Sequence, residues 1–214
     1  MPFIMRQMSP VDPDEELLVS LEQILVVQDE SIADSYEDNY VRLHCGPIWL
    51  IEGTSKEKIE IGEIELYYID GTRALDNDLD IVDVCDSVGQ DVYEYALALY
   101  NNGVLDPEIV GESFSNDALA LHSISILPAF RGRKYGLRVT RKIAETVGYQ
   151  CGAVVLKPSP LQFSIRSEDE EWVERMKMAE FGDDPKLAEN RLTSYWKNLN
   201  LRSTHDPSIF LVSL

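Results

Sequence analysis

Long apolar runs are missing from this chain. None approaches the roughly 18–20 residues that span a bilayer, so no membrane-crossing helix is expected. Cysteine is scarce and odd in number, with Cys45, Cys85 and Cys151 at spacings that suit neither a disulfide framework nor a zinc site. Reduced thiols in a cytoplasm and no bound metal are the expectations. The segment from Met1 to Arg6 lacks a sustained apolar stretch leading to a small-residue cleavage site, so secretion is not expected. Positive charge is in short supply: 19 Lys and Arg face 38 Asp and Glu, for a net charge of −19 and a pI near 4.4. Such a surface repels phosphate backbones and anionic lipid, which argues against nucleic acid and membranes as partners. It would draw in a cationic partner such as an amine or a basic peptide, or serve solubility alone.

What is present is ordinary for a globular protein: 214 residues, 44% apolar and 27% charged, enough for one well-buried domain spanning 1–214. Asp12-Pro13-Asp14-Glu15-Glu16 reads as a helix opening, and the helix would run to about Leu25, though Ile24 to Val27 could equally be a strand. Tyr40–Ile51 and Ile59–Ile69 look like neighbouring strands around a turn at Gly53 to Lys56. Val84, Val88, Val92, Tyr95, Ala96 and Leu99 recur at helical spacing over roughly 81–101, with a stop at Asn102-Gly103. Ala118–Leu127 is the most strand-like run, and Gly136–Val147 is helical up to Gly148. Ala153–Leu156 is a short buried strand, and Ser167 to Glu170 has capping-box spacing for a helix to about Glu180. Pro185–Leu199 is a further helix and Ser208–Leu214 a final strand. The alternation predicts an α/β (α+β) fold, a mixed sheet covered by helices. Asp76, Asp78 and Asp80 begin like a calcium loop, but Ile81 and Ser87 replace the Gly and Glu it needs.

One stretch reverses the overall charge. From Ala118 to Ala144 there is not one Asp or Glu, while Arg131, Arg133, Lys134, Arg138, Arg141 and Lys142 all fall inside it. Several of these bases sit where a strand passes into a helix. Unpaired N–H groups at a helix start carry partial positive charge, so cations there oppose the dipole and an anion would offset the cost. The plainer alternative is a solvated basic face balancing acids elsewhere.

The run LHSISILPAFRGRKYGL, from Leu121 to Leu137, resembles the strand–turn–helix signature of the GNAT superfamily of acyl-CoA-dependent N-acyltransferases. In that family a strand ending near a Pro is followed by Arg-Gly-x-Gly-x-Gly or Gln/Arg-x-x-Gly-x-Gly/Ala, and Pro128, Arg131, Gly132 and Gly136 stand at the matching places. The resemblance implies a GNAT-like, largely antiparallel sheet whose central strands splay to admit acetyl-CoA as co-substrate. It implies that Arg131, Gly132, Arg133, Lys134, Tyr135, Gly136 and Leu137 wrap the pyrophosphate, and that Ile124, Ser125 and Ile126 run beside the pantetheine arm. The segment from Tyr195 to Leu201 is similar to the family's Phe-Tyr-x-x-Leu-Gly-Phe, where a helix packs near the thiol. Three departures stand out. Lys134 occupies a usual Gly position, at a cost of roughly 1–2 kcal/mol if its backbone is left-handed. Trp196 stands where many members place the Tyr that protonates the departing thiolate, leaving Tyr195 or water for that role. The connection from Ser159 to Asp184, containing Trp172, is longer than in compact members and is either an acceptor-side lid or surface decoration.

Acetyl transfer needs a deprotonated amine, and a primary amine with a pKa near 10 arrives protonated. His122 is the leading base, since an imidazole titrates near pH 6.5. Its spacing from Arg131 is similar to that in the arylalkylamine members of the family, although Ala120 stands where they carry a second His. On a regular strand His122 would share a face with Ile124 and Ile126, with Ser123 and Ser125 facing the other way. Glu112 is the reserve base, and Lys157-Pro-Ser-Pro160 is expected to shape the acceptor cleft. The expected activity is N-acetylation of a primary amine on a small molecule or peptide. The alternative is an acetyl-CoA-binding sensor with the same fold, favoured by Trp196. A homodimer is open to either.

Overall fold

The computed structural model describes residues 15–23, 40–52, 57–164 and 168–213. Its frame is a mixed, largely antiparallel sheet built from β1 (Glu15–Val19), β2 (Glu22–Gln23), β3 (Val41–Glu52), β4 (Glu57–Ile69), β7 (Ala118–Ile126), β8 (Ala153–Leu156), β9 (Leu201–Ser203) and β10 (Phe210–Val212). The strand order is β1-β3-β4-β7-β8-β10-β9, with β2 also paired to β3; β5 (Tyr100–Asn101) and β6 (Val104–Leu105) form a separate hairpin. Among the described strands only β7 and β8 pair in parallel, and the connection between them carries α5 (Tyr135–Thr146).

Both faces of the sheet are covered. Ala118, Ala120, Ala153 and Val155 point into a core shared with α1 (Gly71–Asp76), α2 (Ile81–Val88) and α3 (Gln90–Leu99). Leu119, Leu121, Val154 and Leu156 point into the opposite core with α5 and the end of α7 (Pro185–Trp196). Near-continuous apolar runs are what strands buried on both faces require. The long connection after β8 carries α6 (Glu170–Arg175) and makes its own small cluster of Trp172, Met176 and Met178.

The N-terminal segment departs from expectation. The expected helix starts at residues outside the described set, and Glu15–Val19 is a strand, antiparallel to β3 with Leu17 opposite Leu50. Leu17 and Val19 pack against the core while Glu16 and Leu18 are exposed, a period of two that the acids of the segment disguised. The helix expected over 81–101 is two helices broken at Gly89, and its last residues belong to the β5–β6 hairpin. The α4 turn (Pro107–Val110) follows, with Asp106 as its cap. Asp169, not Ser167, caps α6; Ser167 and the turn at 53–56 lie outside the described residues.

A bulge in β7 changes which way the site residues point. Glu65 pairs with Ser123 and the next residue, Leu66, pairs with Leu121, so His122 is the extra residue. Two consecutive side chains, His122 and Ser123, therefore leave the same face. His122 meets Tyr67 on the α3 side of the sheet, whereas Ile124 and Ile126 pack against the α5 side. The shared face expected for His122, Ile124 and Ile126 does not exist.

Candidate active site in the gap between β7 and β8

The two strands separate at a defined point. β8 pairs with β7 from Ala118 to Leu121 and stops at Leu156, while β7 continues to Ile126. Pro158 and Pro160 have no N–H to donate and cannot extend the ladder, and the Ser159 N–H turns back onto the Lys157 carbonyl at 2.7 Å. The gap opens into a cleft of about 580 Å³. One wall is the first turn of α5 with Ala188, Leu192, Tyr195 and Trp196 of α7; the other includes Leu161, Met176, Met178 and Phe181 of the long connection. His122, Ile124, Ser125, Ile126, Arg131, Gly132, Lys134, Tyr135, Gly136 and Tyr195 all line it, so the structure gathers most of the residues singled out from sequence. Arg133 and Leu137 do not: Arg133 is exposed and reaches the Tyr135 hydroxyl at 3.4 Å, and the Leu137 side chain is buried in the core.

At one end of the cleft, Gly132 (φ 83°) and Lys134 (φ 59°) have left-handed backbones that turn the chain into α5. Lys134 is the N-cap and no side chain caps the helix in hydrogen-bonding terms, so its first amides face the cleft end with their partial positive charge. The Leu137 N–H is an exception, since it donates to the Tyr195 hydroxyl oxygen at 3.2 Å. Gly136 explains that contact. A Cβ there would lie 2.9 Å from the Tyr195 oxygen, so this glycine makes room for the hydroxyl, whereas close approach of a ligand was the reason expected. The Arg131 guanidinium is committed internally: Nε donates to the Ile126 carbonyl at 2.9 Å, a terminal nitrogen donates to the Met176 carbonyl at 2.5 Å, and Phe181 stacks on it at 4.5 Å. It pins the long connection to the loop before α5.

Two titratable side chains line the cleft as well, His122 on β7 and Tyr195 against the first turn of α5. The His122 ring lies edge-on to Tyr67 with centroids 5.2 Å apart, and its Nε2 is 3.9 Å from an Asp91 carboxylate oxygen. One turn along α3, Glu94 holds Lys157, whose ammonium keeps that carboxyl below its usual range. Burial pushes the Tyr195 phenol above its ordinary pKa, and the Leu137 N–H pulls in the opposite direction by stabilising the phenolate. Tyr195 is thus protonated at neutral pH, and its oxygen accepts while its proton remains available to donate. Glu112 is exposed after α4 and does not line the cleft. Trp172 is buried, and its Nε1–H donates to Glu63 at 2.8 Å, so the long connection is fastened to β4.

Sequence reasoning missed Asp91, which faces His122, and Gln162 and Arg191, which line the cleft. Arg191 had a usable signal: it precedes Tyr195 by four residues and so shares its face of α7. No protein-family model, curated protein or solved structure matches the chain. All three cysteines are free thiols, and no helix among the described residues is long and apolar enough to cross a membrane.

Proposed function

We propose that the chain is an acyl-CoA-dependent N-acetyltransferase of the GNAT type, which moves the acetyl group of acetyl-CoA to a primary amine. The observation that carries this reading is the cleft between β7 and β8, with an uncapped basic helix start at one end and His122 and Tyr195 along it. Coenzyme A is long, and polyanionic at one end only. Its pyrophosphate suits the amides and cations at the start of α5, and its amide-bearing arm suits the unpaired edge of β7. The amine lone pair would attack the thioester carbon, forming the C–N bond. The C–S bond then breaks, and the coenzyme thiolate takes a proton from Tyr195. His122 would take the amine proton directly or through one water. A strand amide at the parted edge would donate to the thioester oxygen as negative charge builds there.

The acidic surface favours a cationic acceptor and disfavours nucleic acid, and free thiols fit a reducing cytoplasm. A second reading, a coenzyme-binding sensor, draws on Tyr195: burial raises its pKa and makes it a weaker acid for the leaving thiolate. One experiment addresses both. Acetyl-CoA at 100 times its dissociation constant should stabilise the fold by about 2.7 kcal/mol, and a panel of amines and basic peptides should release free thiol. A melting shift with no thiol release from any acceptor favours the sensor, and no shift at millimolar acetyl-CoA sinks both readings.

A further inference from the structure

Arg191 and Lys134 line the same cleft, and neither side chain forms a hydrogen bond or ion pair with any described residue. Other described cations, Lys142, Lys177 and Lys197 among them, have equally unpartnered side chains but do not line the cleft, so it is their place in it that sets Arg191 and Lys134 apart. Arg191 lies one helical turn, about 6 Å of axial rise, before Tyr195 on α7. The Tyr195 hydroxyl touches the first turn of α5, and Ala188 and Leu192 beside Arg191 also line the cleft. This face of α7 therefore looks into the cleft, and the exposed Arg191 side chain lines it. Lys134 at the positive end of α5 and a second cation, Arg191, in the same cleft attract an anionic ligand, which would also relieve the cost of a cation at that helix end. Arg131, the obvious candidate for that task, spends its donors on the Ile126 and Met176 carbonyls.

We propose that Arg191 is a phosphate-binding residue of the cleft, acting with Lys134 on a phosphate group of coenzyme A in the role that the Arg131 side chain does not fill. The inference rests on the coenzyme reading of the cleft. A guanidinium suits the task because its planar fork meets two phosphate oxygens at once, where an ammonium offers a point charge.

The test measures binding of coenzyme A and of its 3′-dephospho form to the full chain by calorimetry. Arg191→Gln should weaken coenzyme A binding about tenfold or more, the loss of a charge-assisted bidentate contact. Arg191→Lys should recover part of the affinity. Lys186→Gln removes a cation from the start of α7 that does not line the cleft, and should leave the affinity unchanged. An equal loss for both coenzymes places Arg191 on the pyrophosphate, and a loss confined to the full coenzyme places it on the 3′-phosphate; both support the proposal. Parent-like affinity of Arg191→Gln for both coenzymes overturns it, as does an equal loss in Lys186→Gln. A parent chain that binds neither coenzyme overturns the coenzyme reading and this inference together, which separates the two failures. Melting of each variant checks that the fold is kept.

Discussion

β7 is one strand with two different halves. From Ala118 to Leu121 it is hydrogen-bonded on both edges, to β4 and to β8, and each of its side chains is buried in one of the two cores. From His122 to Ile126 it keeps β4 but has lost β8, begins with a bulge, and alternates serines bonded to glutamates with half-buried isoleucines. The first half offers a ligand little beyond the Leu121 side chain, since its backbone is paired on both edges. The second half exposes an edge, an imidazole and a cleft. A sheet that paired fully along this strand would be more stable and would have no site. The separation is enforced locally, by two prolines after β8, and is held open on either side by α7 and the long connection.

The largest expected break in this comparison is His122→Ala. If the open half does the chemistry, transfer should slow by about 10²–10⁴-fold with coenzyme affinity and melting temperature nearly unchanged. The deficit should shrink as pH rises, because the acceptor amine then deprotonates without help. Steady-state thiol release between neutral and alkaline pH reads this directly. Full activity at neutral pH would remove His122 from the reaction and leave a water chain as the base, since Glu112 stands outside the cleft.

A matched pair of truncations then sharpens the contrast. Leu119→Ala empties a fully buried position in the paired half and should cost about 2–5 kcal/mol by chemical denaturation. Ile124→Ala, two residues past the bulge, removes a half-buried side chain facing the cleft and should cost less than half as much while weakening ligand binding. Equal destabilisation by the two would mean that the open half is as tightly packed as the closed one.

Much of the fold was legible because its signals are local. The apolar run of β7, the helical period of α5 and Pro-led α7 each follow from a dozen neighbouring residues. The loop from Pro128 to Gly136 was legible for the same reason, and the left-handed Lys134 follows from its place in the motif. The parts that were not legible depend on distant partners. β1 is a strand because β3 offers it an edge, and no periodicity within Glu15–Val19 outweighed the helix-like acids. The bulge at His122 is set by the register of β4, so a regular strand put Ile124 and Ile126 on the imidazole's face, where they do not lie. Arg131 looked like a phosphate ligand because nothing in its own segment reveals that Met176 and Phe181 take up its guanidinium.

The smallest expected effect concerns the residue where the open half of the molecule passes into α5. Lys134 carries a left-handed backbone at φ 59°, which costs a non-glycine residue roughly 1–2 kcal/mol. It also places a cation at the positive end of the helix, a further few tenths of a kcal/mol against it. Glycine relieves both but gives back about 0.5–1 kcal/mol through the greater freedom of the unfolded chain. Lys134→Gly should therefore stabilise the protein by about 1 kcal/mol, a rise of about 2–4 °C in melting temperature for a chain of this size. If the ammonium serves a bound phosphate, the same variant should bind coenzyme A more weakly, with a shallower dependence on salt. Stability gained and affinity lost in one substitution would mark Lys134 as a strained residue kept for its ligand. A variant that melts lower than the parent would mean that the backbone at 134 is not left-handed, and the turn before α5 would have to be redrawn.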